Sequence, residues 1–177
     1  RAALLLAVAL STGCGATTVR LAAAPTLDTL GRPGFEGTVA IGIGLPLDLH
    51  HRSQHFLQGQ GAIGGGVDGA GRSIVVARAD LSYIYWNAER IDLRAGAGVA
   101  YRGTPGEGNE TVGVGGHLGI MPAVWLWSGQ IAVSQLCIGP ELRAEALIRT
   151  NGIEPAVARG LFSLPLVVEM NILVTGD

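Results

Sequence analysis

The chain has 177 residues and a net charge of −2, and its basic residues are all Arg, with no Lys. Only 15% of residues are charged, against roughly 25% in ordinary soluble domains, while 48% are hydrophobic and the mean hydropathy is +0.39. The surface open to water is therefore small or unusually bland. No basic patch exists for nucleic acid, and the length suits one domain of roughly 150 to 160 residues behind an export segment.

Ala2 to Leu10 is a continuous apolar run, too short for the roughly 20 residues of a membrane-spanning helix. After Arg1 and before small residues, it reads as the hydrophobic region of an export signal. Cys14 follows Leu10-Ser11-Thr12-Gly13, which resembles the lipobox of bacterial lipoproteins; that resemblance implies lipidation of Cys14. Ser11 stands where the family usually has Leu, and an ordinary signal cleaved near Gly15-Ala16 or within Leu21 to Ala24 is the other reading. Residues 1–15 are assigned to the signal and 16–177 to a barrel domain. The only other cysteine is Cys137, so no disulfide is expected, and the spacing to His50, His51, His55 and His117 is not that of a zinc site.

Strand signals follow in order. Thr17 to Thr29 alternates weakly. Val39, Ile41, Ile43, Leu45, Leu47 and Leu49 then alternate with Ala40, Gly42, Gly44, Pro46 and Asp48, a period of two. Phe56 to Val67 and Arg72 to Trp86 alternate less cleanly. Ile91 to Arg102 and Thr111 to Ile120 repeat the pattern against Gly, Ala and single charges. Gln130 to Arg149 contains Gly139-Pro140, which calls for a bulge or bend, and Phe162 to Val174 alternates again. Gly/Pro-rich or polar breakers separate the segments, with the loops at one end being Leu30 to Glu36, Asp68 to Gly71, Gly103 to Glu110 and Asn151 to Gly160. Eight long strands in an up-and-down meander remove their edges by closing into an all-β antiparallel barrel.

The weaker face is rich in Gly, Ala, Ser and Thr. Gly weakens an exposed strand but suits a crowded interior. The same face carries Arg78, Asp80, Asp92, Arg94, Glu141, Arg143, Glu145 and Glu169, both signs together, and these are read as a lumen ion-pair network in a barrel with an apolar exterior. A turn at Asn87 to Glu89 makes Asp80 and Arg94 diagonal neighbours. The alternative is a soluble barrel binding a small apolar ligand in a lumen lined by Val39, Ile41, Ile43, Leu164, Leu166 and Val168. Trp125 and Trp127 fall on the inward face unless Pro122 marks a bulge. The alternation and loop spacing from Thr17 to Thr175 resemble small outer-membrane barrels of the OmpA and OmpX kind, which implies the bacterial outer membrane and its lipid as partner.

No residue cluster requires a reaction. His117 is the only strand histidine, and no Ser or acid is forced beside it to build a triad; a lipid hydrolase using His117 is the third reading. His50-His51-Arg52-Ser53-Gln54-His55 reads as a polar turn more readily than a metal site. The Gly-rich stretches lack the Lys-Ser/Thr of a phosphate loop. The sequence therefore points to a non-enzymatic barrel of the outer membrane, or of the periplasm in the soluble alternative, without cofactor or metal.

Overall fold

The structure, a computed structural model, describes residues 14–49, 54–87, 91–106, 109–129, 132–149 and 159–175. The export segment before Cys14, most of the His50 to His55 run and much of the Asn151 to Gly160 loop lie outside these residues. The described residues form β1 (Cys14–Asp28), β2 (Pro33–Leu49), β3 (Gln54–Val67), β4 (Ser73–Asn87), β5 (Ile91–Thr104), β6 (Asn109–Ser128), β7 (Ala132–Arg149), β8 (Arg159–Ser163) and β9 (Leu166–Thr175). Each consecutive pair is antiparallel, and β8 and β9 together form one stave between β7 and β1. Eight staves close the barrel. Cys14 and Gly15, placed in the signal by the sequence, already belong to β1, whose backbone pairs Cys14 with Thr175.

The bend expected at Gly139-Pro140 lies on the neighbouring stave. β7 runs through, and the break falls at Leu164-Pro165. Three prolines converge there: Leu164 N–H donates to Pro25 O at 3.3 Å and Glu141 N–H donates to Pro165 O at 3.0 Å, with Pro140 opposite Leu166. A proline removes one ladder donor, so grouping three of them confines the disrupted pairing to one patch. Gly139 lets β6 come close, because a Cβ there would lie 2.2 Å from Ile120 O.

Two of the tight turns are the same five-residue unit, Asp28-Thr29-Leu30-Gly31-Arg32 and Asp68-Gly69-Ala70-Gly71-Arg72. Gly31 and Gly71 have φ of 74° and 79°, a conformation that favours glycine. In each turn one Asp oxygen accepts from the backbone N–H two and four residues on. The other takes the Arg side chain, with closest N–O distances of 2.6 Å and 2.7 Å. Burial pushes the Asp68 carboxyl up, but the Arg72 side chain, the N–H groups of Arg72 and Ala70 and the Arg72 charge outweigh it and hold the carboxyl below its usual 3.8.

Side chains alternate between the two faces along most of each strand. Ile41, Leu93 and Leu166 are 57%, 37% and 59% exposed on the outside, whereas the side chains of Arg78, Arg94 and Arg143 are 8%, 0% and 6% exposed. The apolar-lumen alternative is therefore corrected: Val39, Ile41, Ile43, Leu164, Leu166 and Val168 are all on the exterior. They share strand parity with the lipid-type face, and the charged residues have the opposite parity.

Candidate functional site: a lumen filled by an ion ladder

Inside the barrel, five arginines and six carboxylates among the described residues form one connected array. It alternates in sign along the lumen. Glu36 accepts from Arg102 at 2.6 Å, and Arg102 reaches Glu145 at 2.6 Å. Arg143 lies 3.6 Å from both Glu145 and Glu141, and Glu141 pairs with Arg20. Arg20 stands 3.9 Å from Glu169, which accepts from Arg94 at 2.6 Å, and Arg94 ends the ladder 3.9 Å from Asp92. Arg78 branches between Glu36 and Glu145. Asp80 branches from Arg143, accepting two hydrogen bonds at 2.9 Å and 2.7 Å. Buried charges are tolerable only when paired and hydrogen-bonded, and a two-pronged guanidinium–carboxylate contact is the strongest such pairing.

The Gly-rich inner face is the imprint of these side chains. A Cβ on Gly98 would lie 2.1 Å from Asp80 Oδ1, on Gly113 2.9 Å from Glu145 Oε2, on Gly96 2.7 Å from the His117 ring and on Gly42 2.8 Å from the Gln58 amide carbon. Each large polar group thus lies over a glycine of another stave. Small and large residues interdigitate, as close packing requires.

All eight charged residues named from the sequence are in this array, where Arg94 lies near Asp92 and Arg143 near Glu141 and Glu145, but the cross-strand pair that the spacing suggested is not made. Asp80 and Arg94 are not neighbours: Arg94 stands opposite Ile84 and Asp80 opposite Gly98, some four residues or about 13 Å apart along the strand. Asp80 is held instead by Arg143, and Arg94 by Glu169. Sequence reasoning left out Arg20, Glu36 and Arg102. Glu36 had been placed in a loop, and Arg20 sits in a stretch whose alanines mute the alternation. Arg102 lies on the weaker face of β5, at the end of its alternating segment.

On the outside, the two tryptophans are resolved by a bulge. The β6–β7 register shifts between Ala123 and Trp125, so Val124 is the extra residue, two positions beyond Pro122. The bulge reverses the parity, and both Trp125 and Trp127 lie outside, about half exposed. They share the rim of Cys14 and Thr175 with Tyr83 and Tyr85 on β4, while Phe35, Tyr101 and Phe162 lie toward the other rim. Tyr101 stands opposite Ala77, six and eight residues along β4 from Tyr83 and Tyr85. With about 3.3 Å per residue and a strand tilt of about 40°, the bands are about 15–20 Å apart, comparable with the apolar band of membrane barrels.

His117 has a serine after all. Ser82 Oγ lies 3.0 Å from Nε2, while Nδ1 faces Arg143 Nη2 at 3.4 Å. An arginine can only donate. Nδ1 therefore accepts, the ring proton resides on Nε2, and the histidine donates to the serine. A triad needs the reverse, with Nε2 free to take the serine proton and a carboxylate on Nδ1. Of the histidine-rich turn, His55 is described: its Nδ1 meets the Tyr83 hydroxyl and its ring lies 5.1 Å from that of Tyr85. No cluster of three metal-binding side chains occurs among the described residues.

An apolar girdled exterior around an ionic lumen is the architecture of a small membrane β-barrel. No protein-family model matches the chain, and no curated protein matches its sequence. Among solved structures, it is similar to Neisserial surface protein A at 12% identity and a TM-score of 0.45, covering 89% of this chain and 95% of that one. It is also similar to an outer membrane channel from Pseudomonas putida F1 at 8% identity and a TM-score of 0.32, covering 91% and 95%.

Proposed function

We propose that the protein is a small β-barrel of the bacterial outer membrane with a structural or interaction role, neither a pore nor a catalyst. The observation that carries this reading is the division of side chains: large apolar residues cover the exterior of every stave, and the ionic side chains are buried inside. Such an exterior is stable against lipid and aggregates in water. The crowded lumen argues against conduction, and the direction of the His117–Ser82 hydrogen bond argues against hydrolysis. Lipidation of Cys14 belongs to the same reading and rests on the residues before it; the Cys14 backbone pairs with Thr175 of the last strand, at one rim of the barrel.

The test is expression with the export segment in a Gram-negative host. The protein is expected in the outer-membrane fraction, resistant to carbonate and released by detergent, and silent in planar bilayers. Release by carbonate overturns the membrane assignment, and regular conductance steps overturn the closed lumen. The mass of the mature N-terminal peptide reports whether Cys14 carries acyl chains.

A further inference from the structure

The ion ladder ends on two carboxyl groups that touch. Asp92 of β5 and Glu169 of β9 are both buried, and their side chains are hydrogen-bonded to each other. Glu169 Oε1 accepts from Arg94 Nη2 at 2.6 Å, and Asp92 Oδ2 accepts from Asn171 Nδ2 at 3.2 Å. The second oxygen of each, Asp92 Oδ1 and Glu169 Oε2, receives no hydrogen bond from any described donor. An ionised carboxylate is an acceptor only. Two of them cannot hydrogen-bond to one another, and side by side in a buried site they repel unless one carries a proton.

The charge balance of the lumen requires the same proton. The array holds six carboxyl groups and five guanidiniums, and His117 is neutral, since its Nε2–H donates to Ser82 while Nδ1 faces Arg143. With all six carboxyls ionised the interior keeps one uncompensated negative charge, which is expensive to bury; one proton cancels it. The neighbours decide which carboxyl takes it. Arg94 is 2.6 Å from Glu169 but 3.9 Å from Asp92, and Arg20 of β1 stands 3.9 Å from Glu169, so Glu169 keeps its charge. The other titratable groups acting on this end of the ladder, Glu141 and the Cys137 thiol of β7, supply no positive charge. Thr18 of β1, Gln58 of β3, Trp86 of β4 and Met121 of β6, which line the adjoining space or stand opposite Asp92, are uncharged. We infer that Asp92 and Glu169 form a proton-binding site, a carboxylic acid on Asp92 whose Oδ1–H donates to the Glu169 carboxylate, and that this one proton makes the lumen array electroneutral at neutral pH.

The experiment uses the whole barrel in detergent. Its infrared spectrum at neutral pH is expected to show the C=O stretch of a hydrogen-bonded carboxylic acid, apart from the carboxylate bands, and heavy-isotope labelling of the aspartate carboxyl carbon is expected to move that band. Asp92→Asn puts an N–H where the acid O–H stood, so it is expected to fold and to lose the band. Folding then takes up this proton in the parent alone, and the unfolding constant of the parent, relative to that of Asp92→Asn, is expected to rise about tenfold per pH unit around neutrality. Should Asp92→Asn not fold, Glu169→Gln takes its place: it removes the competing carboxylate, leaves Asp92 to ionise beside Arg94, and must abolish the same band. A parent spectrum without an acid band overturns the proposal, because both groups are then ionised and a water or a cation bridges them. A band that persists in the variant, a band that moves with labelled glutamate in place of aspartate, or a ratio of unfolding constants that does not change with pH overturns it as well.

Discussion

Replacing Arg143 with Met removes the guanidinium on which Asp80 depends. Glu141 keeps Arg20 and Glu145 keeps Arg102 and Arg78, so the damage concentrates on Asp80, which loses hydrogen bonds of 2.9 Å and 2.7 Å. Both side chains are almost fully buried, 6% and 2% exposed. Stranding one member of such a pair costs about 3–5 kcal/mol. Asp80→Asn alone leaves Arg143 within 3.6 Å of Glu141 and Glu145, and its expected cost is about 2 kcal/mol. The double variant strands no charge and is expected to recover most of the loss, ending within about 2 kcal/mol of the parent. Reversible urea unfolding in phospholipid vesicles, followed by tryptophan fluorescence, measures all four corners of the cycle. A cost for Arg143→Met below about 1 kcal/mol, the worth of an exposed pair, would refute the sealed ionic lumen, as would a double variant no better than Arg143→Met.

Glycines on the two faces are expected to respond oppositely. Gly98→Ala forces a methyl to 2.1 Å from Asp80 Oδ1 and 2.4 Å from Ala79 O and should cost about 1–3 kcal/mol, whereas Gly59→Ala, with nothing within 4 Å, should be neutral or stabilising by about 0.5 kcal/mol; the same urea titration checks both. Deleting Val124 removes the bulge but leaves Trp125 directly after the inward Ala123 and still opposite Leu136, so Trp125 and Trp127 should stay outside and remain quenched by brominated acyl chains; a fall in quenching would show that Val124 is not the extra residue. For the Asp68 turn, the lowered folded-state value means that its stabilisation is present above the ordinary 3.8 and is lost as pH falls through the lower folded value. Hydrogen exchange at the Ala70 and Arg72 amides, corrected for intrinsic rate, should quicken over that acidic range, while Asp68→Asn should show the faster exchange already at neutral pH.

Fold and orientation were legible because strand parity is a local property. Ile41 and Gly42 declare opposite faces from adjacent positions, and the glycines opposite bulky residues disclosed which face was crowded. The wiring of the lumen was not legible. Arg94 meets Glu169 across 75 positions and Arg20 meets Glu141 across 121, distances at which only closure of the barrel and its stagger decide who meets whom. Long arginine side chains cross the lumen and bypass the diagonal neighbour. Val124 shows the other limit: a single extra residue reverses parity downstream, and Trp125 and Trp127 change face without any change in their own sequence pattern. The Ser82–His117 contact was hidden for a different reason: the two residues lie in one row on either side of Gly96, so it crosses a whole stave and depends on two successive registers.

The ladder also sets the order in which such a chain can finish folding. Its rungs join β1 to β7 and β9, β2 to β4 and β5, and β5 to β9, so no hairpin supplies the partners of all its own charges. A partly assembled sheet exposes lone guanidiniums and carboxylates on the surface that must become interior, and these resist entry into hydrocarbon until their counterparts arrive. Full charge compensation is therefore tied to closure of the seam between β1 and the last stave, where Arg20 of β1 meets Glu141 and Glu169.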